Sequence, residues 1–353
     1  MSTKLLAGIF VGIALGTGAV LSTPVAAQES WVNVTGNLAH KLSECGNLTV
    51  VSVAPGSDRL LAGVALRGLW ASEVDGTWTQ IGVGPGSERI VHRSTQILYD
   101  PDNPKVFWVS GIYNTVGVYQ TSDGGETFRK LGTVTHNDSV SVDFSDPERK
   151  TLLAGSHERG HTINKSSDGG QTWENIGAAL PAAAGWTTHP FVVDAATYLV
   201  NTSGQGVVGI AGIYRSDDAG LSWQRVSAVG PSSGLLKAST GVLYWAGGGR
   251  MLRSSNQGQT WTAVGSGLLS VRPVELPDKR LAAVGETTLV ISPDGGNTWT
   301  PVGGRLPYAP DGFMYSPQRK AFYVWRGDCT DQVPRDAVMK LEFDAAPPNP
   351  GTR

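Results

Sequence analysis

A short phrase repeated along the chain restricts its fold more than any other feature. It reads Thr121-Ser-Asp123-Gly-Gly125-Glu-Thr127-Phe128, then Ser166-Ser-Asp168-Gly-Gly170-Gln-Thr172-Trp173, then Ser216-Asp-Asp218-Ala-Gly220-Leu-Ser222-Trp223. Two more copies are Ser254-Ser-Asn256-Gln-Gly258-Gln-Thr260-Trp261 and Ser292-Pro-Asp294-Gly-Gly296-Asn-Thr298-Trp299, and a shortened copy, Ser72-Glu-Val-Asp75-Gly76-Thr77-Trp78, precedes them. The closing aromatics at 78, 128, 173, 223, 261 and 299 recur at intervals of 38 to 50 residues, the length of a four-stranded propeller blade. In each copy Asp or Asn accepts bonds from its own turn, Gly supplies positive φ, and the hydroxyl adds a second local bond. The aromatic then starts a strand and packs between neighbouring sheets.

Composition agrees with an all-β fold. The 353 residues include 46 Gly and no long Ala/Leu/Glu/Lys stretch, which favours many short strands over helices. A 40 % hydrophobic content suffices for a core, and a net charge of -2 offers no basic footprint for nucleic acid. Two Cys exclude a disulfide-dense miniprotein or a four-Cys zinc site.

The phrase resembles the Asp box, S-x-D-x-G-x-T-W, of bacterial sialidases and other BNR-repeat propellers. That resemblance implies a β-propeller, with Asp123, Asp168, Asp218, Asn256 and Asp294 as structural turn residues on the face away from the usual active site. It implies little about activity, because function lives in the loops.

Between the boxes each repeat reads as three further strands, in the third repeat at 140–144, 151–155 and 161–165. The last repeat has candidate strands at 313–316, 321–326 and 337–343 but no box after them. Ser30-Trp31-Val-Asn-Val34 supplies the missing outer strand, so the expectation is a seven-bladed propeller over 28–344, closed by its N-terminal strand. Lys4, the apolar run from Leu5 to Leu21, Pro24 and Val25-Ala26-Ala27 read as a signal peptide over 1–27, cleaved before Gln28. The mature protein is then secreted or periplasmic, monomeric and off the membrane, with a Pro-rich disordered tail at 345–353.

Strand order assigns each loop to a face. Loops joining second to third strands, and loops joining blades, lie opposite the boxes, and all six His fall there. His40, His92, His136 and His189 read as blade-to-blade residues, and His157 and His161 as second-to-third-strand residues. The densest group is His136-Asn137-Asp138, His157-Glu158-Arg159-Gly160-His161 and Trp186-Thr-Thr-His189. Imidazoles beside carboxylates serve as general bases or bind a divalent metal, though this spacing matches no strong ligand motif. Arg67, Arg89, Arg250, Arg272 and Arg305 gather on the same face and suit a carboxylate or sulfate. Tyr113 and Trp186 are candidates for stacking on a sugar ring.

Sialidases carry an Arg-Ile-Pro phrase that this chain lacks, and Arg305-Leu-Pro-Tyr308 is late and only superficially alike, so no sialidase catalytic residue carries over. His136-Asn137, followed by Ser156-His157 and Gly160-His161, resembles the order seen in propeller-type polysaccharide lyases acting on uronate polymers. That resemblance covers blade three and implies His136, His157 and His161 as catalytic residues with a Tyr chosen among Tyr113, Tyr198 and Tyr214; His189 and Arg159, from the same loop group, complete the catalytic candidates. The leading expectation is a propeller that binds an acidic glycan and, if an enzyme, cleaves it as a polysaccharide lyase or a glycoside hydrolase; the alternative is a non-catalytic propeller that binds a protein partner. Cys45 and Cys329 meet across the closing seam in this scheme and are expected to form a disulfide.

Overall fold

In the computed structural model, residues 30–41, 46–72, 76–113, 117–203, 210–330 and 333–345 are described. The expected signal peptide and nearly all of the expected tail lie outside them, as do Cys45 and the side chains of His40 and Cys329. No helix among the described residues is long and apolar enough to cross a membrane.

Seven four-stranded antiparallel sheets follow one another around a ring. Six are uninterrupted meanders. In the third blade the strands are Asn137–Val142, Leu152–Ser156, Ile163–Ser166 and Glu174–Asn175. The seventh takes Gly312–Ser316, Ala321–Arg326 and Ala337–Glu342 from the end of the chain and Val32–Asn33 from its start. Val32 pairs with Lys340 and Asn33 with Met339, and the Val34 amide donates to Val338 O at 2.9 Å. Trp31 packs into the core between blades six and seven, so the short strand is held by side-chain burial as well as by pairing. At the other end Ala345 is buried, and its amide donates to the Tyr315 hydroxyl at 3.0 Å.

The repeated turns hold as their residue types require. In the third blade the buried Ser166 hydroxyl donates to Asp168 Oδ1 at 2.8 Å and accepts from the Gly170 amide at 2.8 Å. Asp168 then accepts from the Thr172 hydroxyl and amide, and these bonds hold its carboxyl down at about 2. The Trp173 indole N–H reaches Leu131 O at 3.1 Å, pinning the turn to the preceding blade. Strand interiors are buried on both faces: Leu153, Ile163, Val200, Tyr214 and Trp223 form one core spanning blades three and four.

Where the inner strands begin, on the face opposite these turns, blades one to four each carry a β-bulge. In blade three Asp138 and Ser139 together oppose Gly155, and in blade four Thr188 and His189 oppose Asn201. The two bulges interlock, since the Ser139 hydroxyl donates to Thr188 O at 2.9 Å. Gly155 lies beneath that carbonyl, and a Cβ there would come within 1.9 Å of it. Gly327 performs the same service at the seam, where a Cβ would meet Leu48 O at 2.1 Å.

Gly155→Ala is expected to push blades three and four apart and to lower unfolding free energy by about 2–3 kcal/mol in chemical denaturation. The flanks of the two cysteines also meet at the seam, because a Cβ on Gly46 would lie 3.1 Å from Gly327 O. Non-reducing peptide mapping is therefore expected to recover a Cys45–Cys329 link; two free thiols would exclude it.

Candidate functional site

The bulge in blade three brings Asp138 out of strand register and under the turn that follows the second strand. There His157 Nδ1 lies 2.8 Å from Asp138 Oδ1, and His157 Nε2 lies 3.0 Å from the Tyr113 hydroxyl. A carboxylate on Nδ1 fixes the ring proton there, leaving Nε2 to accept from the Tyr113 O–H. The result is a Tyr–His–Asp relay crossing from blade two to blade three. Burial pushes the Asp138 carboxyl up, with His157 pulling it back down, and Asp138 Oδ2 is buried without a described partner. Glu158 Oε1 adds a second carboxylate 3.6 Å from His157 Nε2.

His136 completes the arrangement. Tyr113 stands edge-on to both imidazoles, with ring centroids 5.5 Å from His136 and 5.4 Å from His157, and the His157 amide donates to His136 O at 2.7 Å. The backbone is strained here. Of ten described non-glycine residues with positive φ, three, Tyr113, His136 and Glu158, lie at this one place. Each costs about 1 kcal/mol, and such residues persist where surrounding structure imposes them, commonly at functional sites.

The other expected site residues disperse. His161 supplies a backbone carbonyl to Asn175 Nδ2 at 3.0 Å. His189 belongs to the bulged inner strand Trp186–Val192, a correction to its reading as a connecting residue, because Trp186 and Thr187 already pair with Ser203 and Thr202. Enclosure by the ring strips its hydration and holds its imidazole down at about 4, although solvent still reaches part of it. His92 is fully buried, edge-on to Tyr119 at 5.2 Å, and is a packing residue.

Arg159 is exposed two residues beyond His157. Arg67, Arg89, Arg250 and Arg305 are exposed in other sectors of the same face, and Arg272 is anchored by its Nε to Leu235 O at 3.0 Å. Half-buried Trp186 forms a bridge to Gly160 beside the His157 turn. Tyr198 and Tyr214 are buried, which leaves Tyr113 as the tyrosine of the site. Tyr308 is structural, donating towards Val324 O and Ala337 O under the Arg326 guanidinium. Among the described residues no group of three or more His, Cys, Asp or Glu is placed to hold a metal ion. Sequence reasoning named Tyr113 as a stacking residue and as one of three tyrosine options, and gave Asp138 no specific role, because a bulge leaves no mark in residue spacing.

No family model matches the chain, and no curated protein matches it. Solved structures share the fold. The GH74 xyloglucanase from Xanthomonas campestris is 18 % identical with a TM-score of 0.55, over 89 % of this chain and 56 % of that one. The GH74 enzyme from Niastella koreensis is 16 % identical with a TM-score of 0.58, over 85 % and 53 %. The chain thus spans about half the length of these enzymes. YCF48 bound to D1 peptide is 14 % identical with a TM-score of 0.53, over 89 % of this chain and 97 % of that one. These likenesses establish the propeller.

The buried histidine sets a pH dependence. Burial holds His92 at about 4 against 6.5 when unfolded, so the unfolded state binds the extra proton between those values. Its stabilising contribution is complete above pH 6.5 and is lost as pH falls towards 4. Denaturation at pH 7 and pH 5 should show wild type losing about 2 kcal/mol more than His92→Gln.

Proposed function

We propose that the protein binds an acidic glycan on the face opposite the repeated turns and eliminates across its glycosidic bond at Tyr113, His157 and Asp138. The observation that carries this reading is the relay itself, the hydroxyl of an exposed tyrosine bonded to an imidazole that a half-buried carboxylate orients. Tyr113 passes its proton to His157, and Asp138 stabilises the imidazolium. The phenolate oxygen then takes the proton next to the uronate carboxylate. The electron pair of that C–H bond forms the C4=C5 double bond as the C4–O bond breaks. The leaving oxygen receives its proton from the His157 imidazolium by way of the Tyr113 hydroxyl, which restores both groups. Arg159, exposed beside the relay, supplies the positive charge that neutralises the carboxylate and acidifies the C–H. A signal peptide over 1–27 would deliver this site to the compartment where such polymers occur.

A second reading is a non-catalytic propeller that binds a protein segment. The peptide-bound YCF48 structure favours it, since that chain matches over nearly its whole length. Exposed Leu66, Val91, Tyr113, Ile210 and Val229 on the same face would suit such a partner.

The test is incubation of the mature protein with uronate-containing and sialylated glycans while absorbance is followed at about 230–235 nm, where the conjugated product absorbs. Wild type should generate signal, and Tyr113→Phe and His157→Ala should each lower kcat by about 100-fold or more with their folds intact. Absence of turnover on every uronate glycan would reject the elimination reading in favour of the second.

A further inference from the structure

We infer that the central channel holds a separate oxyanion receptor built on Arg272, which takes a sulfate or carboxylate group. It deepens the acidic-glycan reading by giving the anionic substituent its own subsite; only the identity of the ligand rests on that reading, and the receptor uses none of the relay residues.

Arg272 lies in the connection from Thr262–Val264 of blade five to Val274–Glu275, the inner strand of blade six. Its position is fixed by its Nε bond to Leu235 O at 3.0 Å. Gly234 makes that position available, because a Cβ there would press to 3.0 Å from Arg272 Cδ and would shift the side chain from its bond to Leu235 O. The environment is unusual for a surface cation. Arg272 is solvent-exposed, yet the loss of hydration pulls its guanidinium below the usual range. Its place two residues before the inner strand Val274–Glu275 puts it where the inner strands enter the ring. The group remains cationic at neutral pH.

Several other arginines are neutralised by carboxylates: Arg149 pairs with Asp100 and Asp102, Arg215 with Asp217, and Arg280 with Asp278, whereas Arg225 spends its Nη2 on Ala211 O and Ala228 O. Among the described residues no carboxylate pairs with Arg272, and no acceptor is found for Nη1 or Nη2. A guanidinium anchored through one nitrogen, with its fork open, presents the bidentate geometry that planar oxyanions match.

The neighbouring wall is also built. Arg272 flanks the segment 231–235 on one side. On the other, the fully buried Asn201 donates to Pro231 O at 2.6 Å and accepts from the His189 amide at 2.7 Å, so the His189 bulge is fastened to the same segment. Ser232, exposed between them, adds a hydroxyl. Arg272 and the His189 bulge are thus both fastened to the same short segment, 231–235.

The test is titration calorimetry of the folded protein with sodium sulfate at constant ionic strength and pH 7. Wild type should bind one sulfate saturably. Arg272→Met should weaken binding at least ten-fold, Gly234→Ala should weaken it by displacing the guanidinium, and Tyr113→Phe should leave it unchanged. Gly234→Ala carries the test if Arg272→Met does not fold. Absence of saturable binding in wild type, or binding that both channel variants retain in full, overturns the receptor. Sulfate binding without glycan turnover would retain the receptor and reject the relay's elimination role, and turnover without sulfate binding would do the reverse.

Discussion

Close approach of backbone between adjacent blades is the constraint on which this ring depends. At Gly155 the carbonyl of Thr188 occupies the space where any side chain would begin, and at Gly327 the carbonyl of Leu48 does the same. These contacts let an inner strand of one blade settle against the second strand of the previous one. The bulges follow from that fit. In blades one to four the inner strand, which must both pair within its own sheet and seat against a neighbour, carries an extra residue where it begins, and the extra residue turns its side chain away from the pleat. Asp138 is such a residue, and its carboxylate reaches His157 for that reason.

The site therefore shares its supports with the fold. Ser139, next to Asp138, ties blade three to Thr188, while Asn201 ties the bulge of blade four onward to Pro231. Tyr113, His136 and Glu158 hold positive φ around a histidine already bonded on both ring nitrogens. Well-packed inner strands offset the cost of that strain, whereas an isolated loop would relax.

Much of the architecture was legible in sequence because its signals are local. Asp168, Gly170, Thr172 and Trp173 sit at fixed offsets, and each makes the bond its chemistry invites. The N-terminal strand was legible too, since Trp31 stood where an outer-strand aromatic was owed. The site was only half legible. His136 and His157 announced a cluster, but the partners that decide its chemistry are Tyr113 from another blade and Asp138 from a register shift, and neither relation is a property of spacing. His92 and His189 show the converse: correct placement near one face said nothing about burial, which removes the first from the surface and encloses the second.

The strand at Val32–Asn33 also orders events in time. Its partner, Ala337–Glu342, lies some three hundred residues later, so no part of the seventh blade can be completed while the chain is still emerging. Until then blade one and the last three strands present unfinished edges, and the circle is an open arc. Closure is consequently a single late event that converts six local sheets into one cooperative body. A chain truncated at either end would lose more than two residues of strand, because it would remain an arc.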